Sequence, residues 1–314
     1  LLSLSSTATF FLFSNQEYSL QEYTDTHMVY TALLALTVIA ALLTISKTYM
    51  ASLRRHHRDE IAKVTTCGYV APPAGPVATA RLLKVARALT NIQVGAIKFV
   101  GRENLDNLIG PRIITANHPH WADAVIMPQL ILGPARYMAT DRVMTAFGGL
   151  LGVWLSRGGI FTATDKIRDG GERTRAAAIE MVVNNDTLVV LPEGLTNFSP
   201  TMGPFKNGVA IIARSAAERL GKDVYVVPNY IRYGRYPGPW LSKFDRAVQF
   251  GLVLLAFPLF RRKAVVVTGK PISTTELFTK ADGSRRTDDE ASAFLRERIA
   301  ALDTVSVSEA FRRK

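Results

Sequence analysis

Five short runs rich in valine and isoleucine constrain this chain more than any other feature. They read "IKFVG" from Ile97, "PRIITAN" from Pro111, "TLVVLPEG" from Thr187, "DVYVVPNYI" from Asp223 and "KAVVVTGKP" from Lys263. Several lack the apolar-polar alternation of a strand with one wet face, as expected of strands buried on both sides. Between them, "WADAVIMPQLIL", "TRAAAIEMVVNN" and "GVAIIARSAAERL" have helical length and spacing. Strands alternating with helices predict an α/β layered domain, its sheet largely parallel and flanked by helices. A further helix is expected over Val77 to Leu89, with Arg81, Lys84 and Arg87 along one face, and another from Asp288 to Leu302 in a charged tail. No internal repeat is present.

A different signal precedes this domain. From Met28 to Ser46 the chain reads "MVYTALLALTVIAALLTIS" without a charged residue, and about 20 apolar residues suffice to cross the hydrocarbon core. Lys47, Arg54, Arg55, Arg58 and Lys63 follow it. That bias predicts a membrane helix with everything beyond it on the cytoplasmic or an equivalent face. A cleaved signal peptide would carry its basic residues on the other side. Residues 1–27 admit a targeting remnant or a second membrane contact. The organisation expected is therefore that segment, a membrane helix over 28–46, a basic juxtamembrane region over 47–90, a catalytic domain over 91–275 and a charged tail over 276–314. Within the domain, 240–263 holds an apolar run from Phe250 to Phe260, opened by Trp240 and closed by Arg261, Arg262 and Lys263. It suits the lipid headgroup boundary and a buried core helix equally.

The net charge of +12 calls for an anionic partner: nucleic acid, an anionic membrane face or phosphorylated substrates. A nucleic-acid reading needs a basic patch interleaved with aromatics and a known module, and neither is found. The single cysteine, Cys67, excludes an internal disulfide framework and a Cys-rich zinc module.

The stretch "ANHPHWADAV", Ala116 to Val125, carries the chemistry. His118, His120 and Asp123 could be metal ligands, a base with its orienting carboxylate, or polar groups at a helix start. A catalytic zinc site needs three protein ligands, yet no histidine follows His120; no metal is expected. Five helical steps from His118 to Asp123 turn about 500°, leaving them about 140° apart. The pair therefore works only with His118 in the turn before a helix and Asp123 one turn inside it. Asn117 or His118 would cap that helix and Pro119 would take its first position. Asp123 could then hold one imidazole nitrogen while the other accepts a proton. Taken alone, the pair supports a structural cap just as well. The chain has no Gly-x-Ser-x-Gly elbow, P-loop or Gly-x-Gly-x-x-Gly fingerprint, and Cys67 has only His56 and His57 nearby in sequence. A base without a protein nucleophile suggests that the substrate's own hydroxyl attacks.

In this order and spacing the motifs resemble those of the membrane glycerolipid acyltransferases, typified by glycerol-3-phosphate and 1-acylglycerol-3-phosphate acyltransferases. Asn117, His118 and Asp123 match the family's Asn-His-x4-Asp block. Pro192, Glu193 and Gly194 match its Pro-Glu-Gly block, "PFKNGVA" from Pro204 its Phe-Lys-x-Gly-Ala, and Val227, Pro228 and Ile231 its fourth block. The resemblance runs from about Val94 to Ile272. Two departures stand out: Thr164 and Thr196 occupy positions where the family carries arginines associated with the acceptor's phosphate. Arg157, Lys166, Arg168 and Lys206 are candidates to supply that charge.

The resemblance implies a membrane O-acyltransferase using acyl-CoA or acyl-carrier protein as co-substrate, with no cofactor. The acceptor would be a glycerolipid hydroxyl, 1-acylglycerol-3-phosphate or a lysophospholipid, in phospholipid biosynthesis or remodelling. His118 would act as base and Asp123 as its orienter. Asn117, Arg157, Glu193, Gly194, Thr196 and Lys206 would line the substrate site, and backbone amides near Pro119 to Trp121 or beside Gly194 would hold the oxyanion. His120 has no assigned role. Two alternatives stay open: a CoA-independent transacylase with the same pair, and a non-catalytic membrane-anchored lipid-binding protein.

Overall fold

All five Val/Ile-rich runs are strands of one sheet in the computed structural model. It describes residues 44–312 apart from 67–68, 70–71, 132, 164–170, 197, 237–240, 242 and 245–262, together with Thr37, Ala40 and Ala41. In chain order the strands are β1 (Ile97–Val100), β2 (Arg112–Ala116), β3 (Arg136–Thr140), β4 (Ile160–Ala163), β5 (Thr187–Val190), β6 (Tyr225–Tyr233), β7 (Ala264–Thr268) and β8 (Ile272–Ser273). The helices used below are α1 (Arg58–Val64), α2 (Pro76–Gln93), α3 (Asp123–Leu130), α4 (Leu150–Ser156), α5 (Glu172–Val183), α6 (Gly208–Leu220) and α7 (Asp288–Ala300).

Strands β6, β2, β5, β3 and β4 lie side by side in that order and run parallel. On the β6 side, β7 is antiparallel and β1 pairs parallel to β7, so these two run against the rest. The short β8 pairs antiparallel with the start of β6. The sheet is thus largely parallel and flanked by helices, as the alternating pattern predicts. Strands β3 and β4 escape a reading by apolar runs because "RYMAT" and "IFTA" are short and mixed; β4 is the edge strand and β3 lies next to it.

Adjacent residues of the central strands feed two cores. Ile113, Leu188, Val190 and Val226 pack with Met181 of α5, Ile212 and Ala213 of α6, and Leu295 and Ile299 of α7. Ile114, Val189, Val227 and Ile231 pack on the other face with Ile126, Met127 and Leu130 of α3. This two-sided burial is why the strands read as continuous apolar runs. The charged region 276–314 is part of this body: α7 opens with a capping box, Thr287 with Glu290, and buries its apolar stripe in the first core.

Residues Leu1–His56 and His57–Lys314 form separate compact units. In the first, residues 44–56 are helical. Most of the apolar segment Met28–Ser46 lies outside the described residues, and among those described no helix is long and apolar enough to cross a membrane. The apolar run from Phe250 to Phe260 also lies outside them.

One buried charge fastens the outer strands. Arg136, 4% exposed at the start of β3, donates from Nε to Asp186 Oδ2 at 2.7 Å and from its guanidinium to the Pro72 carbonyl at 2.9 Å. Removing the carboxylate strands a desolvated guanidinium, which is far costlier than deleting an exposed pair. Asp186→Ala is therefore expected to lose about 2–3 kcal/mol in urea unfolding; a loss under about 0.5 kcal/mol, the size of a surface change, would show that the pair carries no weight.

Candidate active site

In a parallel sheet, the residues that follow the strands gather along one edge, where open α/β folds place their sites. Here that edge receives the turns after β2 and β5 and the end of β6. Asn117 leaves β2 by a side-chain version of the ladder. Its Nδ2 donates to the Ile231 carbonyl at 3.0 Å, and its Oδ1 accepts from the Ile231 amide at 2.6 Å. Both ends of the amide are spent on β6, and Asn117 is 1% exposed. Its place is to hold the next residue, His118, at the sheet edge.

The turn after His118 differs from the expectation in one respect. Pro119 does not open the helix; α3 begins at Asp123 itself, with Ala122 as its N-cap and no side-chain cap. The side chain of Asp123 instead organises the turn from the helix's first position, where a carboxylate is favoured by the macrodipole. Its Oδ2 accepts from the His120 amide at 2.9 Å and from His118 Nδ1 at 2.8 Å. Asp123 is fully buried and His118 partly so, its side chain 17% exposed. Nδ1 is thereby fixed as the protonated nitrogen, and Nε2 is the one presented for proton transfer.

The Pro-Glu-Gly turn after β5 closes on this pair. Glu193, 8% exposed, accepts from the His118 amide through Oε1 at 2.7 Å and from the Gly203 amide through Oε2 at 2.8 Å. Arg296 of α7 secures the same loop, donating to the carbonyls of Gly203 and Met202 at 2.9 and 3.0 Å. Gly194 has φ +71°, and a Cβ there would overlap Lys206 Nζ, so the ammonium lies against its Cα. The Gly194 amide donates to the Leu191 carbonyl at 3.1 Å, and Asp123 takes that of His120. Neither is available to an oxyanion.

Thr196 accepts from Trp121 Nε1 at 3.0 Å. The indole packs edge-on to Phe198, which is fully buried with φ +52°, an unfavourable conformation for a bulky residue and one that concentrates at functional sites. Trp121, Phe198 and Leu241 form a small apolar cluster beside the pair. His120 lies between Phe198 and Tyr233, with ring centroids at 5.8 and 5.3 Å, and its Nδ1 accepts from the Ala122 amide at 3.0 Å. It is a fastener of the turn.

The structure thus brings together His118, Asp123, Asn117, Glu193, Gly194, Thr196 and Lys206. It does not bring in Arg157. That residue precedes β4, whereas site residues follow their strands, so Arg157 sits at the opposite edge of the sheet. There it is exposed and paired with Glu60 at 2.9 Å. Thr164, Lys166 and Arg168 lie outside the described residues. Among the described residues, no group of three His, Cys, Asp or Glu side chains stands close enough to hold a metal ion.

Tyr233 is the residue that motif reading missed. It is 4% exposed and donates its hydroxyl to Asp123 Oδ1 at 2.5 Å. A signal existed: 229, 231 and 233 share a face of β6, and pairing β6 beside β2 carries that face past Asn117 to the histidine. Nearby, burial raises the Tyr236 phenol above its ordinary pKa, with the charge of Asp123 adding to the effect.

Residues 96–232, which hold Asn117, His118, Asp123, Glu193, Gly194, Thr196 and Lys206 but not Tyr233, match the family model described as Acyltransferase. No curated protein matches the chain. Among solved structures, the 1-acyl-sn-glycerophosphate (LPA) acyltransferase PlsC of Thermotoga maritima aligns at 16% identity and a TM-score of 0.45, over 72% of this chain and 81% of that one.

Glu193 is the bolt between the two turns, and its charge is matched to two amide donors. Glu193→Gln turns an NH2 group toward one of them and leaves that amide unsatisfied. A loss of about 1–3 kcal/mol in thermal or urea unfolding is expected, together with reduced turnover. Unchanged stability and turnover would remove Glu193 from this role.

Proposed function

We propose that this chain, an enzyme of the acyltransferase family, moves a fatty acyl group from a thioester to the hydroxyl of a glycerolipid. The observation that carries this reading is the His118 imidazole, held through Nδ1 by a fully buried carboxylate at the open edge of the sheet. His118 Nε2 takes the proton of the acceptor hydroxyl as its oxygen attacks the thioester carbonyl. Asp123 stabilises the imidazolium so formed. When the tetrahedral intermediate collapses, the C–S bond breaks and the imidazolium returns its proton to the departing thiolate. The products are the new ester and the free thiol, and the base is regenerated.

The donor in this reading is acyl-CoA or acyl-carrier protein. The acceptor is 1-acylglycerol-3-phosphate or a lysophospholipid. Thr196 accepts from Trp121 Nε1 and carries no charge, so in this reading the cation for the phosphate is Lys206, which lies against Gly194. The +12 net charge supports attraction to phosphate-bearing substrates and to anionic lipid headgroups. With the apolar segment Met28–Ser46 as a membrane helix, the domain works at the cytoplasmic or equivalent face, where a lipid acceptor is delivered from the bilayer. A His-Asp pair with this geometry inside an acyltransferase domain removes the reason to favour a non-catalytic lipid-binding protein.

Acyl transfer by the purified protein across lysophosphatidic acid, lysophospholipids and glycerol 3-phosphate, with both thioester donors, tests the reading. His118→Ala is expected to lower kcat by about 10³-fold or more. Lys206→Ala is expected to raise KM for a phosphate-bearing acceptor by roughly tenfold, about 1.4 kcal/mol, with kcat little changed. Absence of transfer to every acceptor, or a His118→Ala protein as active as its parent, would overturn the mechanism.

A further inference from the structure

We infer that Tyr233 is a positioning residue of this reaction, its hydroxyl holding the Asp123 carboxylate in the one orientation that serves His118. The inference rests on the reading of His118 as the base and goes beyond it, because neither the motif nor the matched span 96–232 includes position 233.

The geometry is a buried carboxylate held at both of its oxygens. Asp123 Oδ2 receives His118 Nδ1–H and the His120 amide, at 2.8 and 2.9 Å, while Oδ1 receives the Tyr233 hydroxyl at 2.5 Å. With no exposure to water, Asp123 has no solvent to replace any of these donors. A hydrogen bond to a buried ionised acceptor is among the stronger ones a protein makes. Phenylalanine would fill the same space at the end of β6; the buried hydroxyl needs a partner, and its partner is the oxygen of Asp123 that does not face the histidine. Tyr233 is itself held rigidly. It pairs with Ala264 of β7, its amide donates to Tyr236 Oη at 3.2 Å, and its ring lies against His120.

Two consequences follow for proton transfer. The hydroxyl blocks rotation of the carboxylate, so Oδ2 stays on Nδ1 and Nε2 stays aimed at the open edge. It also draws charge toward Oδ1, which tempers how strongly Asp123 holds the imidazolium. Without it, more of the negative charge bears on His118, and the imidazolium formed during transfer is held more tightly. The titratable groups that face this pair are His120 from its own turn, Tyr233 and Tyr236 from the end of β6, and Glu193 and Lys206 from the Pro-Glu-Gly side. Of these, Tyr233 is the side chain bonded to Asp123.

The test is Tyr233→Phe in the full chain. Expected are a kcat about tenfold lower, equivalent to about 1.4 kcal/mol, KM within about twofold, and an acid limb of kcat/KM moved to higher pH. Incorporation of 3-fluorotyrosine at 233, a more acidic donor of nearly the same shape, is expected to move that limb the opposite way. It also keeps the test alive should the phenylalanine variant fail to fold. NMR titration of the His118 imidazole reads the same two shifts without turnover, so Tyr233 is tested even if no acyl acceptor is found. A merely structural role predicts lower stability with neither limb nor titration moved. That result, or a rise in KM with kcat intact, overturns the proposal.

Discussion

A single carboxylate, removed from water, holds the site in shape. Asp123 accepts hydrogen bonds from His118, the His120 amide and Tyr233, and each donor comes from a different piece of local structure. An ionised group with no solvent around it is tolerable only when its lone pairs are filled. The fold must therefore deliver all three donors together. Strand β2 delivers the histidine, the turn delivers the amide, and the last residue of β6 delivers the phenol. Loosening any one leaves charge uncompensated, so the demand of the carboxylate makes the turn between β2 and α3 rigid without a capping side chain.

The sheet meets that demand through pairing. Parallel registers of β2 with β5 and β6 bring three chain segments to one edge, and two side chains then extend the order beyond the strands. Asn117 adds a further rung onto Ile231, and Glu193 ties the His118 amide to Gly203. Under the proposed reading, neither residue needs to touch a substrate for its loss to lower turnover. On the same reading, a motif that looks like a set of reacting groups is thus partly scaffolding: of the Asn-His-x4-Asp and Pro-Glu-Gly blocks, His118 presents a ring nitrogen for chemistry, and the rest place it.

This division explains what could be read from the chain. Strands β1, β2, β5, β6 and β7 were legible because burial on both faces leaves long Val/Ile runs, and the helices because their spacing is regular. Strands β3 and β4 were not, since both are short and mix polar with apolar residues, which leaves no Val/Ile run to read. The need for His118 and Asp123 to meet across a strand-to-helix turn was legible from helix geometry. The starting residue of α3 was not, because Pro119 is equally at home in a bend and at a helix start. Arg157 misled because a glycine-rich lead-in to a strand looks adjacent in sequence to the site, yet a parallel strand carries its two ends to opposite edges. Tyr233 is far from any motif and becomes visible only when β6 is placed beside β2.

The two threonines at positions where arginines were expected acquire different meanings. Thr164 lies outside the described residues, whereas Thr196 is bonded to Trp121 Nε1 and sits beside the cluster of Trp121, Phe198 and Leu241. An arginine there would offer a planar, bidentate grip on phosphate. Threonine instead fixes the indole, and the nearby cation is Lys206, a point charge on a flexible stem. A point charge attracts phosphate without dictating its orientation. Under the proposed reading, acceptor selection then shifts from the headgroup's phosphate toward the part-exposed indole of Trp121, which the buried Phe198 backs, and a lipid acceptor with more to bury gains most from that contact. The left-handed backbone of Phe198 fits this account: a conformation that bulky residues avoid is kept where it places an aromatic ring against Trp121 and His120 in the turn after β2.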